Sequence, residues 1–155
     1  MQSWTAWNAS YLWSFALIAL TIAIHLTGIG LIVNVLERFR SAVLRSKRYL
    51  GSTPTTVGFI LAIALGLAVL HGIECLIWAV AFIRLGAILS PAEAALYSVD
   101  SMTTRGASGL HLETNWRMMG AVEAGDGMLL FGISTAFLFY VMTRLWKSDA
   151  ATIYD

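Results

Sequence analysis

The sequence predicts an all-α membrane protein with three transmembrane helices and a re-entrant helix and loop. Three long apolar stretches separated by short polar ones point to it, as does one well-capped helix too brief to cross a bilayer. Of the 155 residues, 58% are hydrophobic and 12% charged, roughly half the charged share of a soluble domain. A water-soluble fold of this size has too little interior to hide so much apolar surface, so lipid is the expected solvent.

The net charge of +1 conceals a cluster: five of the ten Lys and Arg residues, Arg38, Arg40, Arg45, Lys47 and Arg48, share one short segment. Between two apolar stretches such a run reads as a headgroup-facing cytoplasmic loop, not a nucleic-acid surface. Membrane lipid is therefore expected around the chain, and no nucleic-acid partner. Cys75 is the only cysteine, which excludes an intrachain disulfide and a multi-cysteine metal site. Residues 1–10 carry no Lys or Arg and precede an apolar stretch long enough to span, so that stretch reads as a retained helix and not a cleaved signal.

Residues 1–36 hold the first span, at 11–36, with Trp4, Trp7, Tyr11 and Trp13 suited to the headgroup boundary. Residues 37–56 form the basic loop, residues 57–147 hold two further spans at 57–85 and 116–145, and residues 148–155 form a tail. The basic loop, together with Arg144 and Lys147 after the last span, marks the cytoplasmic side. The chain is thus expected to be multi-pass in the cell membrane, its N-terminus outside and its C-terminus cytoplasmic.

Residues 90–102 begin Ser90-Pro91-Ala92-Glu93. Ser90 can cap the first amides, Pro91 suits the first helical position, and Glu93 can bond back to Ser90 at the positive end of the helix dipole. The helix has only about three turns, so it enters and turns back or lies on the surface. Residues 103–109, Thr-Thr-Arg-Gly-Ala-Ser-Gly, have no helical or strand period. Non-helical backbone at membrane depth survives only where protein or water satisfies its polar groups.

Taken in order, these features resemble the two-transmembrane, pore-loop potassium channels and their small bacterial relatives over residues 57–145. The shared features are an outer helix, a short capped helix, a Thr-Thr-x-Gly run, Trp116 after it, and a last helix containing Gly125, Gly127 and Gly132. The resemblance implies a pore helix at 90–102 and a filter-like loop of Thr103, Thr104, Arg105, Gly106, Ala107, Ser108 and Gly109. It also implies a homotetramer passing a monovalent cation, with potassium the first ion to test, and neither enzymatic activity nor a resident cofactor. Thr104 and Gly106 match the family's filter threonine and first glycine. Ala107, Ser108 and Gly109 replace its tyrosine, second glycine and aspartate, so potassium selectivity does not follow. Arg105 stands where the family carries Val or Ile, and Asp100 where inward-rectifier relatives carry a bracing glutamate, so an Asp100–Arg105 pair behind the loop is expected. Four copies of Arg105 lining the axis would favour anions instead. A non-conducting subunit or scaffold with a channel fold is the remaining alternative.

Glu123 and Asp126 lie three apart on the last span and share a face where unpaired carboxylates are expensive. They read either as lining a central cavity, Asp126 above all, or as making interhelical hydrogen bonds. Gly125, Gly127 and Gly132 serve either a gating bend or close packing. His71 and Glu74 show the same spacing on the second span beside Cys75. Two ligands do not make a metal site, and a structural contact to His25 or to the last helix is the favoured reading. An intramembrane enzyme built on His71, Glu74, Glu123 and Asp126 lacks any recognised nucleophile or metal motif.

Overall fold

The computed structural model describes residues 4–45, 53–106 and 109–151, with side chains described over 8–38, 56–106 and 109–145. Helices α1 (Trp4–Arg45), α2 (Thr53–Arg84), α3 (Pro91–Met102) and α4 (Arg117–Ala151) follow one another, with a 3-10 turn at Thr114–Trp116, and no strand occurs among the described residues. Among the described residues three helical segments, Asn8–Arg38, Thr56–Arg84 and Thr114–Leu145, are long and apolar enough to cross a membrane.

The short helix starts where its capping residues require: Ser90 has extended backbone, its hydroxyl accepts the Glu93 N–H at 3.4 Å, and Pro91 occupies the first turn. The long helices overrun their expected limits. Residues 37–45, expected as loop, continue α1 because Glu37, Arg38, Ala42, Leu44 and Arg45 favour helix and neither Gly nor Pro interrupts them. Arg38, Arg40 and Arg45 therefore lie on α1, while Lys47 and Arg48 fall outside the described residues. Helix α2 begins at Thr53 with Pro54 in its first turn, where a missing N–H costs nothing. Helix α4 extends into the first half of the expected tail, to Ala151.

Burial is inverted relative to a soluble protein. On α1 the buried positions Ser10, Ser14, Leu17, Thr21 and His25 recur every three or four residues, while Leu12, Phe15, Leu20 and Leu26 are exposed. On α2 the exposed residues Val57, Leu61, Leu65, Val69, Ile73, Leu76 and Val80 form a continuous aliphatic stripe at helical spacing. Water would drive such stripes inward. Lipid leaves them outside and penalises unsatisfied polar groups, so polar side chains turn toward one another. The chain is by this measure a membrane protein.

Two compact units make up the chain: Met1–His25 with His71–Phe131, and Leu26–Leu70 with Gly132–Asp155. The first holds α3 and a core that includes Trp78, Phe82, Ala94, Met102, Met119 and Leu130, with Phe82 edge-on to Tyr97 at 5.4 Å. Within the second, α1 and α2 run antiparallel, Gly28 facing Leu70 and Gly66 facing Ile32.

Candidate functional site

Helix α3 descends between α2 and α4. Near its middle the single Ser98 hydroxyl proton is shared between the Cys75 carbonyl, at 2.7 Å, and Glu123 Oε1, and further on Ser101 Oγ donates to the Gly120 carbonyl at 2.8 Å. At its end the Cys75 thiol meets Met102 Sδ at 3.4 Å, and the Met102 backbone lies against Gly127. Cys75 is nine residues from the α2 terminus Arg84, and Gly127 ten from the α4 start Arg117. At 1.5 Å per residue both place the end of α3 about 14–15 Å along its neighbours. The chain then returns to its starting level, where the Glu113 N–H donates to the Ala87 carbonyl at 3.3 Å and Leu112 is buried.

The turn at the foot of α3 is built by its backbone. Thr103 caps the helix and its hydroxyl donates to the Val99 carbonyl at 2.7 Å. The Thr104 N–H bonds the Ser101 carbonyl at 2.9 Å, and the Arg105 and Gly106 N–H groups reach back to Asp100 O at 2.9 and 3.3 Å. These bonds close the helix around a left-handed residue, a place normally taken by glycine and here filled by Thr104 with φ of 57°. Thr104→Gly should therefore stabilise the purified protein by about 1 kcal/mol in thermal or denaturant unfolding. No gain would mean that Thr104 side-chain contacts offset the backbone cost. Gly106 and Gly109 are also left-handed, with φ of 81° and 80°.

Arg105 Nε lies 3.3 Å from Asp100 Oδ1, making the ion pair that the resemblance implied. Its setting differs from a fully buried one: the Asp100 side chain is 2% exposed and that of Arg105 63%. The long side chain reaches back to a carboxylate at the helix end while its body stays at the surface. Ala107 and Ser108 fall outside the described residues.

The carboxylates considered for a cavity lining are turned into the first unit. Asp126 Oδ2 accepts from Thr21 Oγ1 at 2.7 Å and from Trp78 Nε1 at 3.0 Å, tying α4 to both α1 and α2. Glu123 is fully buried and accepts from Ser98. Glu74, also fully buried, lies between two imidazoles, His25 Nδ1 at 2.8 Å from Oε1 and His71 Nδ1 at 3.2 Å from Oε2. The His71 ring stacks on Phe131, centroids 4.2 Å apart. Gly127 is a close-packing position, whereas a Cβ at Gly132 would meet open space. Thr21, Trp78 and Ser98 escape a search for charged residues, yet the regular polar stripe on α1 already signals a buried face.

Fold and site together define a helical membrane protein in which a short capped helix inserts beside three helices of spanning length. No protein-family model, characterised protein or solved structure matches the chain.

Proposed function

We propose that this chain is one subunit of a tetrameric, potassium-channel-like pore that passes monovalent cations passively through the loop at residues 103–109. The observation that carries the proposal is the depth of α3: its capped N-terminus, its end beside Gly127 and the return to Ala87 suit a re-entrant helix and loop. One such loop cannot enclose a path, so closure needs copies around an axis. In the cell membrane, the basic residues Arg38, Arg40, Arg45, Arg144 and Lys147 favour a cytoplasmic C-terminus and an external N-terminus.

The proposal is for cation conduction and not for potassium selectivity. Thr104, the match to a filter threonine, sits in the left-handed cap, which differs from the row of pore-facing carbonyls that potassium selection requires. The same observation favours, as the second reading, a non-conducting subunit of channel-like fold. Pairing of Arg105 with Asp100 argues against an anion pore formed by a ring of free guanidinium groups.

Purified protein in liposomes separates these readings. The cation pore gives potassium and sodium flux well above protein-free vesicles, little chloride flux, and a four-chain product on cross-linking. Intact tetramers silent to all three ions establish the non-conducting reading, and dominant chloride flux establishes the anion pore.

A further inference from the structure

We propose that His25, His71 and Glu74 bind a divalent transition-metal ion of the zinc type, clamping α1 to α2 independently of any conduction. The three residues offer two imidazole nitrogens and a carboxylate, with ligand atoms that all lie within 4.8 Å of one another. Ligands at zinc distances around a tetrahedral ion stand about 3.3 Å apart. His71 Nδ1 is already 3.2 Å from Glu74 Oε2, and His25 Nδ1 is 2.8 Å from Oε1. The two nitrogens approach different oxygens of the carboxylate, so one ion is seated by a convergence of three ligands that already lie within 4.8 Å of one another.

The donor set is selective. Two imidazoles suit zinc and its transition-metal neighbours, whereas magnesium and calcium demand a shell of oxygens. Three protein ligands leave a fourth position for water. Each imidazole would bind the ion as the neutral ring, through the nitrogen that carries no proton, and Glu74 as the carboxylate, so uptake favours the deprotonated ligands. Burial adds a reason for a cation here: Glu74 is fully enclosed in an apolar span, where a carboxylate is expensive without a compensating charge. The His71 ring is held by its stack on Phe131 and lies 5.1 Å from the His25 ring, so both imidazoles are oriented before metal arrives. The His71 side chain is 12% exposed, which provides the way in. The site also gives the first helix a task, since α1 contributes His25 and α2 the other two ligands.

The full chain, purified in detergent and stripped with a chelator, should take up about one zinc ion per chain on titration, as measured by elemental analysis. Its unfolding midpoint should rise with zinc and not with magnesium. Cobalt(II) should give the intense visible absorption of a four-coordinate ion. His71→Gln and Glu74→Gln, which keep size and hydrogen-bonding capacity, should each weaken zinc binding roughly tenfold or more. Zinc uptake unchanged in both variants, no uptake by the wild-type chain, or a weak six-coordinate cobalt spectrum would each overturn the proposal. If a variant fails to fold, the wild-type cobalt spectrum decides.

Discussion

Gly127→Ala lowers the stability of the fold by about 3 kcal/mol, because the new methyl group meets backbone and not a movable side chain. A Cβ at this position would lie 2.7 Å from Met102 Cα and 2.8 Å from its carbonyl carbon, and closer still to the carbonyl oxygen. The end of α3 must then withdraw from α4, taking with it the Ser101–Gly120 and Cys75–Met102 contacts. Gly125→Ala is the matched control on the same helix, with nothing within 4 Å of its Cβ. It should be neutral, or stabilising by up to about 1 kcal/mol through helix propensity. Thermal unfolding of both proteins in the same detergent measures the difference. Equal midpoints would show that α3 does not dock on α4 as described.

Asp126→Leu costs about 2–4 kcal/mol, since it removes the acceptor shared by Thr21 and Trp78 and strands a buried indole N–H. Asp126→Asn retains an acceptor oxygen and should lose less than half as much. The Trp78 indole N–H resonance reports the bond directly: it should move markedly in the leucine variant and little in the asparagine one. A carboxylate facing a water-filled cavity behaves in the opposite way, both substitutions leaving stability and the indole signal unchanged while altering cation flux. The two outcomes separate an interhelical tie from a permeation role.

The sequence alone was sufficient for the class and the order of elements. Lipid imposes a coarse rule, that a spanning helix be long and apolar, and composition reports it without tertiary information. The start of α3 was equally legible because Ser90, Pro91 and Glu93 act on their immediate neighbours. Helix ends were less so: α1 continues into the basic segment as far as Arg45 because helix propensity there is local and strong, while charge patterning speaks only of the membrane boundary.

What only the tertiary structure decided is the direction of the polar side chains. Three-residue spacing puts Glu123 and Asp126 on one face of α4, and His71 and Glu74 on one face of α2, but spacing within a helix carries no record of what that face meets. Packing supplied the answer: Thr21 and Trp78 for Asp126, Ser98 for Glu123, and, of the two partners the sequence offered for the second pair, His25 for Glu74. The same holds at the foot of α3, where Thr104 resembles a filter threonine by sequence. Its left-handed backbone is set by bonds returning to Asp100 and Ser101, and the sequence motif cannot distinguish that cap from an ion-facing loop. Helices are specified by local pattern, whereas partners far apart in the chain exist only once the helices have packed.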